Sequence, residues 1–192
     1  MKITGEFEIP ASRERVWRAL NDPTILAQSI PGCEEIEKVS DTEFRARVVV
    51  KVGPVKAAFR GKVTLSDLDP PNGYRIAGEG QGGVAGFARG EARVRLTGSN
   101  TATLLSYEAE ATVGGKLAQV GQRLLGSTAR KLAADFFGTF SALVSAAPEE
   151  PAPEEQPVTP AETPPAPSSL GPWVWVAGVL VIVAVLLFAF NL

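Results

Sequence analysis

The 192-residue sequence predicts an α+β fold in which a curved antiparallel sheet wraps around one long helix. Apolar or small residues alternate with polar residues almost without interruption from residue 35 to residue 114, as in strands with one buried face. Two short helical patterns precede this region, and an apolar stripe with helical spacing follows it. We interpret residues 1–145 as a single domain with this order of elements.

The first thirty residues predict one strand and two short helices. KITGEFEI alternates in the manner of a half-buried strand. Pro10 and Ser12 are start signals for a helix that places Val16, Trp17 and Leu20 on its apolar side. A second short helix is expected over residues 23–30, because the proline and glycine that follow it end the pattern.

Tight turns divide the alternating region into strands. Gly53 and Pro54 form a turn between two alternating segments, residues 44–52 and 55–65, which we interpret as a pair of facing strands. Further turns are predicted over residues 70–73 and 98–100. The remaining strands are expected near residues 74–80, 86–96 and 101–113, which makes five or six antiparallel strands after the short helices.

The hydrophobic period changes after residue 114. An apolar stripe with a spacing of three or four residues predicts a helix over residues 115–146, about 45 Å long. The stripe consists of Leu117, Val120, Leu124, Thr128, Leu132, Phe136 and Phe140. The opposite side carries Lys116, Gln122, Arg130 and Lys131.

Two segments of different composition follow the domain. Residues 146–172 contain nine prolines among 27 residues and predict a disordered tether that reaches up to about 80 Å. A proline-rich ligand for a recognition module is the alternative interpretation of this segment. Residues 173–191 are predicted to form a transmembrane tail anchor, because residues 173–190 carry no charge and span about 27 Å as a helix. Aromatic anchor residues lie near its two ends: Trp173, Trp175, Phe188 and Phe190.

The residue types that are missing exclude several function classes. The chain has no histidine, and Cys33 is its only cysteine, so a Ser-His-Asp triad, a Cys-His pair or a usual zinc site is not available. Residues 1–145 hold 19 basic and 16 acidic residues, a balance of 19 − 16 = +3, with no basic run that would indicate nucleic-acid binding. Cys33 is expected to be a small, inert loop residue rather than a reactive thiol.

A glycine-rich segment raises the possibility of a nucleotide site. Residues 78–83, GEGQGG, satisfy the pattern G-x-G-x-x-G, which holds a pyrophosphate only where a strand leads through the glycines into a helix. The next residues, GFARGEARVRL, alternate like a strand instead. We therefore predict no nucleotide. The glycines are interpreted as bends that keep side chains out of an interior space: Gly78, Gly80, Gly82, Gly83 and Gly86.

Five segments, in order, carry a resemblance to a known family. They are KITGEFEIPASRERVWRALNDP, the loop IPGC, the turn in VKVGPVKAAFRGKV, the glycines of GEGQGG, and TLLSY at the start of the last strand. Together they cover residues 1–145 and resemble the carbon monoxide dehydrogenase CoxG family, a branch of the START-like (SRPBCC) helix-grip superfamily. The opening segment is common among START-like proteins, whereas the IPGC loop combined with the glycine-rich strand is more specific.

The resemblance implies a role for the whole chain. The family's proposed role is to hold a molybdenum-containing carbon monoxide dehydrogenase at the cytoplasmic face of the membrane and to carry electrons to, or deliver, respiratory quinone. It implies menaquinone or ubiquinone as a non-covalent ligand, no covalently bound cofactor, and no enzymatic activity of the chain itself. The missing N-terminal signal sequence agrees with a single-pass inner-membrane protein whose domain faces the cytoplasm.

A helix-grip fold implies an apolar cavity between the sheet and the long helix. Small residues at inward positions leave volume that a packed core would fill, and these are Gly5, Ala46, Ala57, Gly61, Gly78, Gly80, Ala109 and Ala111. The residues expected to line the cavity are Phe7, Phe44, Val48, Ala57, Phe59, Gly61, Ile76, Gly78, Gly80, Leu105, Tyr107, Leu117, Val120, Leu124, Leu132 and Phe136. For any one large residue in this set, packing in a solid core is the simpler interpretation.

Other functions remain open on the sequence. The helix-grip fold also occurs in polyketide cyclases, so a cyclase or isomerase, a general lipid-binding protein and a purely structural anchor are alternatives. Acidic residues lie next to predicted turns at residues 34–35 and 67–69, where solvated carboxylates are the simpler interpretation. Four arginines form either a docking face for the dehydrogenase or an ordinary solvated strand face: Arg60, Arg89, Arg93 and Arg95.

Overall fold

Seven strands, two short helices and one long helix make up residues 1–98 and 101–146, which are the residues that the computed structural model describes. The elements are β1 (Lys2–Ile9), α1 (Arg13–Leu20), α2 (Pro23–Ser29), β2 (Cys33–Ser40), β3 (Glu43–Val52), β4 (Val55–Asp69), β5 (Gly73–Gln81), β6 (Phe87–Gly98), β7 (Thr103–Gly114) and α3 (Gln122–Ala146). A first 3-10 turn (Gly83–Ala85) precedes β6, and a second 3-10 turn (Gly115–Val120) precedes α3.

The predicted linker beyond residue 146 and the predicted membrane anchor lie outside the described residues. The same holds for the four aromatic anchor residues Trp173, Trp175, Phe188 and Phe190. Among residues 1–98 and 101–146, no helix combines the length and the apolar character that crossing a bilayer requires. The anchor therefore stays a prediction from the sequence.

The strands form one antiparallel sheet. Its order is β1-β7-β6-β5-β4-β3-β2, so β1 pairs with the last strand and every other strand pairs with its neighbour in the chain. Val52 lies opposite Val55, which confirms the predicted tight turn at Gly53 and Pro54. The α+β class and the antiparallel sheet predicted from alternation are thus confirmed.

A large apolar cluster closes one end of the fold. It joins α1, α2 and the C-terminal half of α3 to the sheet, and Ile9, Val16 and Phe140 are completely buried in it. Burying a phenylalanine side chain contributes about 1.5–3 kcal/mol, so this cluster supplies much of the stability of the domain. Thr103 is also fully buried and satisfies its hydroxyl by donating to the Ala11 carbonyl at 2.7 Å.

A smaller cluster lies at the other end, which we call the turn end. Here the β3–β4 turn, the two 3-10 turns and the start of α3 meet. Val52, Leu117 and Leu125 are the buried residues of this cluster. Gly53 packs so closely on Leu124 that a Cβ added to the glycine would lie 2.8 Å from Leu124 Cδ2.

The long helix begins later than the sequence predicts. Residues 115–120 form the second 3-10 turn, and Gly121 then adopts φ +92°, a conformation that favours glycine and separates the turn from α3. With 25 residues, α3 is about 37 Å long rather than 45 Å. The shift also changes the buried face, because Leu125 is buried while Leu124 is 39% exposed.

Candidate functional site

A band of small residues crosses the inner face of the sheet between the two clusters. Its members come from β3 to β7: Ala46, Gly61, Gly78, Gly80, Ala88, Gly90, Ala92, Ala109 and Ala111. None has a side chain larger than a methyl group, none belongs to either apolar cluster, and each is half-buried rather than buried. We call this set the small-residue band.

The strand register makes the band continuous. Gly78 lies between Val63 of β4 and Gly90 of β6, and Gly90 in turn lies opposite Ala111 of β7. The next row along the strands likewise joins Gly61 and Gly80. Side chains on one face of a sheet normally fill the space towards the packed helix, so this region of the inner face leaves room that the clusters on either side do not.

Only some of the glycines leave that room. A Cβ added to Gly78 or Gly80 would meet its nearest neighbours at 3.6 Å and 3.8 Å, which are ordinary van der Waals distances. A Cβ on Gly61 would lie 2.9 Å from the Glu79 carbonyl oxygen, and one on Gly90 would lie 2.5 Å from the Glu110 carbonyl oxygen. The first pair therefore contributes open volume, and the second pair permits close approach of neighbouring strands.

Other glycines predicted to leave open space have different roles. Gly83 and Gly86 adopt φ +59° and φ +107°, so the turn into β6 requires their backbone conformation. A Cβ on Gly82 would lie 2.6 Å from the ring of Phe59. Gly5 faces the ring of Tyr107, where a Cβ would lie 2.7 Å from the ring. The prediction that these glycines leave open space is wrong for Gly5, Gly82 and Gly86.

Aromatic side chains form a wall beside the band. The ring of Phe7 stacks on Phe137 of α3 at 4.3 Å between centroids, and Tyr107 stacks on Phe137 at 5.9 Å. Phe136 meets Phe137 edge-on at 4.9 Å. The predicted helical stripe contains Phe136 and misses Phe137, although Phe137 lies at helical spacing before the buried Phe140 and Val144.

The predicted cavity residues divide into three groups. Twelve are half-buried: Phe7, Val48, Ala57, Phe59, Gly61, Ile76, Gly78, Gly80, Tyr107, Val120, Leu132 and Phe136. Phe44 and Leu105 are buried in the large cluster, and Leu117 is buried in the turn-end cluster, so these three are core residues. Leu124 is exposed beside the β3–β4 turn.

Sequence reasoning missed three members of the small-residue band on β6. These are Ala88, Gly90 and Ala92, and the alternation of the segment ARGEA places all three on one face of the strand. The register with β5 shows that this is the inner face, because Ala88 lies opposite Gly80. The same period-two rule that identified Gly78 and Gly80 could therefore have found them.

Two tyrosines provide the phenols of the inner face. Burial raises the pKa of Tyr107 and raises that of Tyr74 further, so both phenols are neutral at ordinary pH. Tyr74 belongs to the large cluster, where it meets Trp17 edge-on at 5.3 Å. Tyr107 is only half-buried and lies beside the small-residue band, where a neutral phenol can donate or accept one hydrogen bond.

The thiol of Cys33 lacks the features of a nucleophile. Cys33 begins β2 rather than lying in a loop, and burial raises the pKa of its thiol, which disfavours the reactive thiolate. Its Sγ lies 3.6 Å from the Glu35 carbonyl oxygen. Among residues 1–98 and 101–146, no three Cys, Asp or Glu side chains converge on a position where they would hold a metal ion.

The outer face of the sheet is charged with both signs. Arg89 lies opposite Glu79, and Arg93 lies opposite Glu108, so two of the four arginines considered as a docking face have acidic neighbours across the strands. A groove of about 600 Å³ lies on this face, and its lining includes Lys62, Arg89, Glu79, Glu91 and Glu110. This charged groove is not the predicted apolar cavity, which belongs to the opposite face.

The acidic residues near turns are engaged in ion pairs. Glu34 lies 2.8 Å from Arg47, and Asp67 lies 3.3 Å from Arg75. The glycine segment over residues 78–83 runs from β5 into the first 3-10 turn and then into β6. It therefore leads into an antiparallel strand, as predicted, and not into the helix that a dinucleotide site requires.

Comparison with known protein families decides the family. A model of the carbon monoxide dehydrogenase CoxG family matches residues 5–145. The chain belongs to this family. Among proteins with curated descriptions, none matches the CoxG-family chain described here.

Solved structures share the fold of this CoxG-family protein. A conserved protein from Geobacillus kaustophilus is 33% identical, with 76% of this chain and 95% of that chain covered and a TM-score of 0.71. A START superfamily protein from Mycobacterium smegmatis is 14% identical, with coverage of 75% and 97% and a TM-score of 0.58. An aromatase/cyclase from a Streptomyces species is 16% identical, with coverage of 76% and 93% and a TM-score of 0.57. The START-like fold is thereby confirmed.

Family membership and fold together favour an accessory role in which the domain binds a hydrophobic ligand. The family name associates the chain with a carbon monoxide dehydrogenase. The inner face has the properties of such a binding site, because small and aromatic side chains predominate on it and the charged residues of the strands lie on the outer face.

Proposed function

We propose that this CoxG-family protein is a membrane-anchored accessory protein that carries respiratory quinone and recruits a molybdenum-containing carbon monoxide dehydrogenase to the cytoplasmic face of the membrane. The observation that carries the proposal is the small-residue band. It leaves half-buried apolar space between two packed clusters, as a site for a lipophilic ligand requires.

The chemistry of the inner face suits binding rather than catalysis. A general acid or base needs a group whose pKa lies near the working pH. Tyr107 is the phenol beside the band, and burial moves its pKa away from neutrality. An apolar ligand gains about 25 cal/mol for each Å² of surface that it removes from water, so it needs no charged partner.

Quinone fits this face better than a plain acyl chain does. The stacked rings of Phe7, Tyr107 and Phe137 offer an aromatic wall for a flat quinone ring. The neutral phenol of Tyr107 supplies one hydrogen-bond donor for a quinone carbonyl. An isoprenoid tail requires only apolar surface, which the band and the half-buried valines of β3 supply.

Membrane anchoring and recruitment follow from the sequence beyond the domain and from the family. Residues 173–190 are uncharged and long enough to span a bilayer as a helix. The proline-rich residues 146–172 let the domain reach a large enzyme while the chain stays anchored. The family name supports a carbon monoxide dehydrogenase as the enzyme.

Ligand binding is tested by mass spectrometry of the full-length protein purified from membranes in mild detergent. We expect menaquinone or ubiquinone to co-purify with the wild type and to fall several-fold in Gly80→Leu, because the added side chain fills the band. Ala77→Leu is the matched control, since Ala77 neighbours Gly80 on the same strand but is exposed on the outer face. Repeatedly empty wild-type preparations with normal dehydrogenase recruitment would leave only the structural-anchor function.

Anchoring is tested separately by deleting residues 170–192. We expect both this protein and the dehydrogenase to move from the membrane fraction to the soluble fraction. If the dehydrogenase stayed on the membrane, the recruitment role would be wrong even if the domain binds quinone.

A further inference from the structure

The turn end of the domain carries basic residues and no acidic residue. Residues 49–60, 80–88 and 112–127 contain no Asp or Glu, although the domain as a whole holds 16 acidic residues. Lys51, Lys56, Lys116 and Arg123 are all exposed there. Among residues 1–98 and 101–146, the ion pairs of the structure involve none of these four.

Contacts within the turn end bring these segments together. The β3–β4 turn packs on the start of α3, because Gly53 lies against the side chains of Leu124 and Val120. The first 3-10 turn packs on the second, where Gly86 approaches the backbone of Gly114. The four basic side chains therefore project from one surface of the domain rather than from scattered loops.

Two of these charges lie where they reduce the stability of the isolated domain. Lys51 is directly opposite Lys56 in the β3–β4 ladder, and like charges in that position repel. Arg123 occupies the first turn of α3, where the helix dipole favours a negative charge and no acidic residue is present. An anionic surface bound at the turn end would turn both placements into favourable interactions.

The same end exposes apolar side chains. Val84, in the first 3-10 turn, is 86% exposed, and Leu124 is 39% exposed. The glycines around Val84 keep the turn narrow, so that its isopropyl group stands clear of the protein surface. Basic residues around a protruding apolar group are the combination that binds at the interface of an anionic bilayer, where the charges meet headgroups and the apolar group enters the boundary of the acyl chains.

We propose that the turn end docks on a bilayer containing anionic lipids, with the four basic residues on the headgroups and Val84 inserted below them. A bilayer is favoured over an acidic protein because the predicted anchor holds the domain within a tether length of the membrane, which makes the local concentration of headgroups high. The docking goes beyond quinone carriage and does not require it. It orients the small-residue band with its turn end towards the membrane.

The test uses the full-length chain with Cys33→Ser, so that one introduced cysteine carries an environment-sensitive fluorophore. The label is placed at Val84→Cys, or at Leu68→Cys as the matched control. Leu68 is 43% exposed in β4 between Asp67 and Asp69, near the opposite end of the sheet. The protein is reconstituted into vesicles of phosphatidylcholine alone or mixed with phosphatidylglycerol. Emission wavelength and quenching by brominated acyl chains are measured.

We expect a blue shift and quenching at position 84 in vesicles with phosphatidylglycerol, and neither at position 68. High salt should reverse the shift, because it screens the charges. Replacing Lys51, Lys56, Lys116 or Arg123 by Gln should weaken the docked state about five-fold for each substitution. The paired variant Lys51→Gln/Lys56→Gln retains the fold's apolar contacts and should lose the shift.

Three outcomes would overturn the docking. These are no change at position 84 with phosphatidylglycerol, an equal change at position 68, or a change that appears only after the dehydrogenase is added. The last would identify an acidic protein surface as the occupant. Quinone content is measured on the same preparations: full quinone occupancy without a shift overturns docking alone, and a shift without quinone overturns carriage alone.

Discussion

Gly78 lies directly opposite Gly90 where β5 pairs with β6, and the two glycines have different surroundings. A Cβ on Gly78 would meet Val63 Cγ2 at an ordinary 3.6 Å, whereas a Cβ on Gly90 would lie 2.5 Å from the backbone oxygen of Glu110. Adjacent absences of a side chain thus have different causes. Gly78 leaves volume for a ligand, and Gly90 lets β6 approach β7.

This difference predicts opposite effects of the same substitution. Gly90→Ala should destabilise the domain by about 1–3 kcal/mol, because the backbone of β7 has to move. Gly78→Ala should change stability by less than about 1 kcal/mol, in the stabilising direction, since it reduces the freedom of the unfolded chain. Both variants of the detergent-solubilised protein are compared by urea unfolding. Equal midpoints would show that Gly90 does not serve close strand approach.

Much of the sheet was predictable because period-two alternation assigns each residue to a face. The alternation predicted the β3–β4 pairing at Gly53 and Pro54, and it predicted that the segment after Gln81 is a strand and not a phosphate-binding helix. The register confirms Gly78 and Gly80 as inner-face positions. Membership of the START-like fold followed from the same order of elements together with the residues that resemble the family.

Distances within the sheet were not predictable in this way. Whether a glycine leaves space or allows close approach depends on the curvature of the sheet, which residue types do not reveal, so Gly61 and Gly78 look alike in the sequence. The start of α3 was missed because Leu117 and Val120 fit helical spacing although they belong to a 3-10 turn. Moving the start to Gln122 exchanges Leu124 for Leu125 on the buried face.

Thr103 is a second position where a single atom has a measurable effect. Its fully buried hydroxyl donates to the Ala11 carbonyl at 2.7 Å and ties β7 to the segment before α1. Thr103→Val keeps the shape but leaves that carbonyl without its partner, so we expect a loss of about 1–3 kcal/mol in the free energy of unfolding. Thr97→Val is the exposed control and should stay within about 0.5 kcal/mol. Similar losses in both variants would contradict this role.

The two tyrosines predict a loss of stability at high pH. Burial raises the folded-state pKa of Tyr74 above its ordinary value of 10.0, so above pH 10 the unfolded chain releases a proton that the folded chain retains. Stability is therefore unaffected by this group below pH 10 and falls as pH rises above it, by up to about 1.4 kcal/mol per pH unit.

Because the chain has only two tyrosines, the phenolate absorbance resolves them. We expect Tyr107 to ionise before Tyr74, since Tyr107 is only half-buried. Tyr74→Phe should flatten the decline of stability above pH 10 more than Tyr107→Phe does. A decline that is identical in Tyr74→Phe and the wild type would show that the phenol of Tyr74 is not the buried group responsible.

The lysine pair at the turn end predicts a trade between stability and membrane docking. Lys56→Glu replaces repulsion with attraction across the β3–β4 ladder, so the free energy of unfolding should rise by about 0.2–1 kcal/mol. The same change places a negative charge where the proposed anionic headgroups bind, so docking at the turn end should weaken. Stability is measured by urea unfolding, and docking by the emission of a fluorophore at position 84.

A charge reversal away from the turn end separates these two effects. Lys131→Glu on α3 removes a surface ion pair with Asp135, so it should lower stability slightly without altering docking. Weaker docking in Lys56→Glu but not in Lys131→Glu would assign the loss to the position of the charge rather than to the net charge of the domain, since both variants change that charge equally. If Lys56→Glu stabilised the domain and left docking unchanged, the repulsion at the turn end would need a different explanation from membrane binding.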